Sequence, residues 1–287
     1  MLHIFLLAPV LFLVALIGFP VIYNLLMSVE DVNIGNIVDL VRPFVGLDNY
    51  AQVLADPAFH KVALNSFIFV SANMVAQLGL GLMVAMFFAQ RFPGAHFMRG
   101  VLLSPWILPA LVVGALWKWI FATDYGVANH VLAVLSLIGR NVNWLSDTSV
   151  SLTAVTLANI WFGMPFSMIL IAAALASIPQ EHYEAAALDG AGALARFRFI
   201  TLPALKPTLL AVACLVVIYT MRAFDLIFTM TAGGPLDSSN VLPLLSYQFS
   251  FQQFQFGVGA AIGTFAFVIV LVVALIYVRT LEKEASL

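Results

Sequence analysis

Long apolar runs separated by short polar stretches dominate the pattern of hydrophobic and polar positions along the chain. A helix needs about 20 apolar residues to cross a bilayer. Six runs reach that length, at residues 2–27, 63–89, 101–122, 150–176, 208–230 and 256–278. The pattern therefore predicts an all-α polytopic membrane protein with six transmembrane helices.

The composition points to the same class. Of the 287 residues, 63% are hydrophobic and 9% are charged, whereas a soluble domain is about 45–50% apolar and about 25% charged. The net charge is −2, without a basic block, so nucleic acid is not an expected partner, while membrane lipid is. Because no stretch resembles a linker or a soluble domain, residues 1–287 are expected to form one transmembrane domain.

Basic residues are distributed unequally between the two sets of loops. Cytoplasmic loops of membrane proteins carry the excess of Lys and Arg. This rule places both termini and the loops at residues 90–100 and 177–207 in the cytoplasm. The residues on that side are Arg91, Arg99, Arg196, Arg198, Lys206, Arg279 and Lys283, against Arg42, Lys61 and Arg140 on the other side.

Motifs for catalysis and nucleotide binding are absent from the sequence. There is no Gly-x-x-x-x-Gly-Lys-Ser/Thr phosphate loop, no His-Glu-x-x-His and no Gly-x-Ser-x-Gly. The five histidines are scattered over loops and helix ends. We therefore expect no catalytic residue, no metal site and no cofactor bound to this chain.

The polar loop between the fourth and fifth runs contains the stretch EAAALDGAGALARFRFITLPALKP. Proline suits the first turn of a helix, so Pro179 is expected to start a short helix at 180–188. Gly190 is expected to end that helix in a left-handed conformation. A second short helix is predicted at 193–199, and Pro207 is predicted to start the fifth span, giving a helix–Gly–helix loop.

Two readings of this loop are open from its composition. It could be an amphipathic connector resting on lipid headgroups, but such helices prefer bulky apolar residues opposite Lys or Arg. The first helix offers alanine and glutamate instead, and small side chains allow another protein backbone to approach closely. A docking site for another protein is therefore the favoured interpretation of this loop.

A motif in the same loop resembles a known family signature. Glu184-Ala185-Ala186, three residues, Gly190, nine residues and Ile200-x-Leu202-Pro203 match the cytoplasmic loop signature of ABC importer permeases. The likeness extends along the chain and resembles the carbohydrate-uptake branch, including the first-type maltose and glycerol-phosphate permease subunits. It is carried by GLDNYAQVLADPAF, LLSPWILPALVVGALWKWIFATDYG, IWFGMPFSMILIAAALASIPQEHYEAAALDGAG and FDLIFTMTAGGP.

This resemblance implies a multi-subunit importer in the bacterial inner membrane. Its expected partners are a second permease subunit, two cytoplasmic ATPase subunits and a periplasmic solute-binding protein. ATP and Mg would be bound by the partner ATPase. The loop would dock on that ATPase and couple its closure to the spans, through Glu184, Ala185, Ala186, Asp189, Gly190, Leu202 and Pro203.

Two stripes of residues are candidates for the substrate path. Asn159, Phe162, Gly163 and Phe166 share one face of the fourth span, and Gly163 with Pro165 is expected to weaken that helix. Val216, Thr220 and Ala223 share a face of the fifth span. The resemblance assigns both stripes to the sugar pocket, although the maltose type is polar where this chain has Val216 and Ala223. Helix packing is the alternative explanation for both stripes.

Charged residues inside a span are costly and therefore mark functional or structural sites. Arg222 and Asp225 are three residues apart, so they are expected to pair on one helix face, either as a structural ion pair or near the solute. Lys118 is expected to anchor the third span at the interface. The rival function is a self-sufficient, ion-coupled secondary sugar transporter, for which Asp225 is the candidate coupling carboxylate.

Overall fold

The computed structural model describes residues 9–90 and 92–285, with side-chain surroundings as far as residue 280. Its helices are α1 (Pro9–Met27), α2 (Asp48–Ala55), α3 (Pro57–Ala89), α4 (Ala95–Ile107), α5 (Ala110–Ile120), α6 (Val127–Val134), α7 (Ser151–Ala176), α8 (Gln180–Leu188), α9 (Ala193–Met221), α10 (Phe224–Thr231), α11 (Leu242–Tyr247) and α12 (Phe256–Ala285).

The predicted class, an all-α polytopic membrane protein, is confirmed. Within the described part of the chain, five helices (α1, α3, α7, α9 and α12) are long and apolar enough to cross a membrane, and the bent pair α4–α5 makes a sixth if it counts as one span. The predicted start of the first span at residue 2, Arg91 and the side chain of Lys283 lie outside the described residues.

The third span is not the continuous helix expected at 101–122. α4 and α5 meet at an angle of 101°, and Leu108 between them is extended, with φ −72° and ψ 146°. Proline disfavours the helical conformation of the residue before it, so Pro109 ends α4 at this point. The third apolar run therefore folds as two half-helices.

The fifth span also differs from the prediction at both ends. The helix expected at 193–199 is continuous with the span, because a π-helical turn at Phe197–Thr201 joins it to the α-helix that starts at Leu202. This wider turn accommodates Pro203, whose ring would clash with the carbonyl four residues earlier in a regular α-helix. Pro207 lies inside the helix, so it does not start the span.

At its other end the fifth run breaks at Ala223. The amide of Phe224 donates to the carbonyl of Arg222 at 2.8 Å, and Ala223 has φ −74° and ψ 63°. These are the values of an inverse γ-turn. The turn separates α9 from the half-helix α10, where a continuous span at 208–230 was predicted.

Close glycine contacts hold the helices around the centre of the bundle. A Cβ on Gly81 of α3 would lie 2.9 Å from the Cβ of Ser167 on α7. A Cβ on Gly114 of α5 would lie 2.9 Å from the Cβ of Thr229 on α10. Both separations are shorter than van der Waals contact, so the absence of a side chain lets α3 approach α7 and lets the two half-helices pack together.

The segment after α10 is tied to the start of the other spans. The side-chain amide of Asn65 in α3 donates to the carbonyl of Asp237 at 2.8 Å, and the hydroxyl of Ser151 in α7 lies 2.6 Å from that of Ser238. The Nζ of Lys61 donates to the carbonyl of Leu236 at 2.6 Å. These bonds fix the ends of α3, α7 and α10 relative to one another.

Candidate functional site

A cavity of about 380 Å³ lies between α3, the α4–α5 bend, α7 and the junction of α9 with α10. Both stripes predicted from the sequence and both charged residues of the fifth run contribute to its wall. The residues that line it are Gln77, Trp106, Ala110, Asn159, Phe162, Gly163, Phe166, Val216, Tyr219, Thr220, Arg222, Ala223, Asp225 and Leu226.

Three aromatic rings form one side of this cavity. Trp106 stacks on Phe166 with ring centroids 5.1 Å apart and planes inclined by 20°. Tyr219 packs edge-on against Phe166, with centroids 5.4 Å apart. Trp106 and Tyr219 are 42% and 51% exposed, so the group offers open aromatic surface. Neither residue belongs to the predicted stripes, although Tyr219 is next to Thr220 and Trp106 lies three residues before Pro109.

The stripe on the fifth span contributes less surface than expected. Val216 is 1% and Thr220 is 4% exposed, because their face of α9 packs against the neighbouring helices. Tyr219, one residue away from Thr220, supplies the accessible area instead. The stripe therefore forms the buried base of the cavity wall.

A cluster of buried amides extends from the cavity wall into the protein. The side-chain Nδ2 of Asn159 donates to Oδ1 of Asn73 at 2.8 Å, and Nε2 of Gln77 donates to the same oxygen at 3.0 Å. Asn159 and Gln77 are 6% and 3% exposed. Asn159, a candidate for the substrate path, lines the cavity, but one of its N–H groups donates to Asn73. Gln77 is not part of either predicted stripe, although Asn73 and Gln77, two amide side chains four residues apart in an apolar run, are a visible signal in the sequence.

Gly163 lies in the cavity wall beside Gln77. α7 continues through Gly163 and Pro165 to Ala176, so the expected weakening of the fourth span does not break it. A Cβ on Gly163 would lie 2.4 Å from Oε1 of Gln77. The glycine therefore provides the space that the Gln77 carboxamide occupies.

Arg222 and Asp225 both face the cavity, but they do not form the expected ion pair. The turn at Ala223 lies between them, so they are not one turn apart on a regular helix. Arg42 and Glu30, 2.8 Å apart in the segment after α1, form the ion pair seen among the described residues. Both Arg222 and Asp225 are exposed, with their polar groups available at the cavity.

The loop between α7 and α9 contains the predicted helix. α8 spans Gln180–Leu188, and Gly190 has φ +79°. The amide of Ala191 donates to the carbonyl of Ala186 at 2.8 Å, and that of Gly190 to the carbonyl of Ala187 at 3.1 Å. This pair of bonds is a Schellman motif. The expected left-handed end of the helix is confirmed.

The exposed side of this loop forms a hollow of about 630 Å³ next to α8. Ala185, Ala186 and Asp189 line it together with residues from the start of α9. Glu184, Leu202 and Pro203 are exposed close by. The large apolar side chains Leu188, Leu194 and Phe199 are also exposed in the same loop. These exposed apolar side chains make the loop a candidate contact site for another molecule.

Comparison with known proteins identifies the family. The profile of the family described as "Binding-protein-dependent transport system inner membrane component" matches residues 77–286. The trehalose/maltose transport system permease protein MalF of Thermococcus litoralis is 35% identical over 83% of this chain and 80% of that protein. The diacetylchitobiose uptake system permease protein DasB of Streptomyces coelicolor is 33% identical over 94% of this chain and 83% of that protein.

Solved structures show the same fold. A chain of a bacterial ABC transporter involved in the import of the acidic polysaccharide alginate superposes with a TM-score of 0.82 and 20% identity, covering 98% of this chain and 95% of that one. The resemblance inferred from the loop motif is confirmed. The chain belongs to the inner membrane components of binding-protein-dependent transport systems, the permease subunits of ABC importers.

Proposed function

We propose that this chain is the permease subunit of an ATP-driven importer that moves a carbohydrate or carbohydrate derivative from a periplasmic binding protein into the cytoplasm. One observation carries the proposal. A single cavity brings open aromatic rings together with amide and charged groups. Binding sites for small molecules combine mostly apolar walls with a few placed polar groups, and a sugar offers apolar C–H faces together with hydroxyl groups.

The relatives support this class of solute. Two proteins at least 33% identical to this chain carry trehalose/maltose and diacetylchitobiose in their names. In the cavity, Trp106 and Phe166 would pack against the sugar ring, while Arg222 and Asp225 would bond to hydroxyl groups. Val216 and Ala223 add apolar surface only.

The loop with α8 is proposed to be the mechanical link to the ATPase. α7 and α9, the helices on either side of the loop, also carry much of the cavity wall. From Phe166 to the end of α7 at Ala176 is ten residues, or roughly 15 Å of helix. Movement of a docked α8 would therefore be transmitted to the cavity along two continuous helices. Glu184, Ala185, Ala186, Asp189, Gly190, Leu202 and Pro203 would form the docking surface.

The proposed assembly contains a second permease subunit, two ATPase subunits and the binding protein. ATP and Mg would be held by the ATPase subunits, and this chain would carry no cofactor. Both termini and the α8 loop would be cytoplasmic, as the distribution of basic residues indicates.

The rival is a self-sufficient, ion-coupled secondary sugar transporter. Asp225 is the acidic side chain in the cavity wall and would have to bind the coupling ion. That function gives no role to the Schellman-capped helix α8 and its exposed alanines, whereas an importer uses both.

The proposal is tested by co-expressing the chain with the second permease and the ATPase encoded alongside it, and purifying the complex in lipid nanodiscs. ATP hydrolysis is then measured with the binding protein and maltose, trehalose or diacetylchitobiose. We expect hydrolysis to rise with at least one loaded binding protein. An unstimulated complex across the panel would contradict a carbohydrate importer.

A further inference from the structure

The carboxamide of Gln77 is held in one orientation by its donors. Its Nε2 donates to Oδ1 of Asn73 at 3.0 Å and to the carbonyl of Asn159 at 3.3 Å. An amide nitrogen has two N–H groups, so both are used inside the protein. The part of Gln77 left for the cavity is its acceptor oxygen, Oε1.

A backbone carbonyl determines which atoms of the three amides donate and which accept. Nδ2 of Asn73 donates to the carbonyl of Phe69 at 2.8 Å, and a backbone carbonyl only accepts hydrogen bonds. Asn73 must therefore turn its oxygen toward Gln77 and Asn159, and both must turn their nitrogens toward Asn73. Flipping any of the three amides would bring two like atoms together.

Burial makes this arrangement rigid. Asn73 is fully buried at 0% exposure and does not line the cavity, whereas Gln77 and Asn159 do. Oε1 of Gln77 lies above the backbone of Gly163, and no donor from the described residues bonds to it. Gln77 lines the cavity and Oε1 is not among the buried atoms without a hydrogen-bond partner, so this acceptor is accessible from the cavity. A hydroxyl group of the solute could therefore donate to it in place of water.

We infer that Gln77 is a specificity-determining residue that accepts a hydrogen bond from one hydroxyl group of the transported sugar, and that Asn73 is its positioning residue. The inference rests on the proposed function. The site would prefer a hydroxyl at this point and would reject both a fluorine atom, which cannot donate, and an anionic group, which would face an acceptor oxygen.

The test uses the complete complex in proteoliposomes with ATP inside and the binding protein outside. Each sugar is supplied at a concentration that fully loads the binding protein, so that differences in its affinity for the sugars do not affect the rate of uptake. Uptake of maltose, trehalose and diacetylchitobiose is measured first. Each monodeoxyfluoro derivative of the best-transported sugar is then compared with its parent. In the wild type we expect one derivative to be taken up about tenfold less efficiently, the size of one lost buried hydrogen bond.

Gln77→Met retains the approximate side-chain volume and removes the acceptor. We expect this variant to lower uptake of the parent sugar. Uptake of the fluorinated derivative should then be within about twofold of that of the parent, because the variant lacks the oxygen that accepts the bond from the sugar hydroxyl. Asn73→Leu should also reduce the difference in uptake between the parent sugar and that derivative, because the Gln77 amide would be free to rotate. Gly79→Ala, on the same helix but with open space around it, should leave this difference unchanged.

The outcomes separate the two proposals. If wild-type complex imports a sugar but treats every fluorinated derivative like its parent, the inference about Gln77 is wrong and the carbohydrate importer stands. The same conclusion follows if Gln77→Met retains the wild-type discrimination. The comparison of fluorinated and parent sugars in the wild type can contradict the inference by itself, even if the Gln77→Met variant folds poorly. If none of the three sugars is imported, the proposed function fails, and the inference fails with it.

Discussion

The phenolic hydroxyl of Tyr183 lies 2.9 Å from the hydroxyl of Thr201. Tyr183 is in the short loop helix α8, and Thr201 is in the π-helical turn of α9, where it is buried. This hydrogen bond connects the loop directly to the span that carries Thr220 and Tyr219. It gives the proposed coupling helix a second attachment besides its chain connection to α7.

Removing this attachment should weaken coupling while leaving the spans folded. Tyr183→Phe removes one hydrogen bond, worth about 0.5–1.5 kcal/mol. We expect basal ATP hydrolysis of the complex to persist and its stimulation by loaded binding protein to fall about two- to tenfold. Tyr125→Phe, at an exposed tyrosine between α5 and α6, is the matched control. Equal stimulation in Tyr183→Phe and wild type would remove the bond from the mechanism.

The left-handed end of α8 should tolerate only some residues at position 190. A Cβ on Gly190 would meet no atom within 4 Å, so the cost of a substitution in the isolated chain comes from its φ of +79°. That cost is roughly 1 kcal/mol for ordinary residues, and valine is disfavoured further by its branched side chain. Gly190→Val should therefore uncouple the ATPase or release it from the purified complex. Gly190→Asn should retain much of the wild-type coupling, since asparagine adopts this conformation more readily.

The docked face of α8 can be tested by bulk alone. Ala185→Trp should block close approach of the ATPase and reduce its co-purification, whereas the second permease should stay bound. Ala51→Trp, at an exposed alanine in α2, is the control of equal size and should retain the ATPase. Normal ATPase association in Ala185→Trp would place the docking surface elsewhere.

The space beside Gly163 predicts a suppressor pair. Gly163→Ala would bring a Cβ to 2.4 Å from Oε1 of Gln77 and force the carboxamide out of its amide cluster. We expect a lower melting temperature of the complex and weaker uptake. Adding Gln77→Ala vacates the space, so the double variant should regain melting temperature without regaining uptake. A double variant no more stable than Gly163→Ala would show that the clash is not with Gln77.

The aromatic wall should contribute to transport and little to assembly. Phe166→Ala removes the ring between Trp106 and Tyr219, and aromatic pairs are worth about 0.5–1.5 kcal/mol beyond their buried area. Solute-stimulated hydrolysis should need a higher concentration of loaded binding protein or reach a lower maximum. Phe267→Ala, at an exposed ring on α12, controls for loss of an aromatic side chain. Wild-type transport by Phe166→Ala would indicate that this residue serves helix packing and does not contact the solute.

Local rules were sufficient for several features. Apolar length predicted the α-helical membrane class, and Pro179 and Gly190 predicted the ends of α8, because helix starts and left-handed ends depend on the residues at those positions. The 3.6-residue period predicted a shared helix face for four residues that line the cavity together: Asn159, Phe162, Gly163 and Phe166.

Hydropathy alone does not show where an apolar run bends, so the third and fifth runs were predicted as continuous spans. Pro109 was a local signal for the first break, whereas Ala223 gave no such signal. The expected pairing of Arg222 with Asp225 assumed an unbroken turn and failed for that reason. Gly163 makes room for Gln77, which lies 86 positions earlier in the sequence. No local sequence pattern predicts a contact over that separation.

The central claim is that this chain imports sugar only as part of an ATP-driven assembly, and reconstitution tests it most directly. Uptake of labelled maltose, trehalose and diacetylchitobiose is measured in proteoliposomes that hold either the chain alone under a proton or sodium gradient, or the complete complex with binding protein outside and ATP inside. We predict accumulation of at least one sugar by the complex with ATP and none by the chain alone. Gradient-driven accumulation by the isolated chain would contradict the importer and establish a secondary transporter in its place.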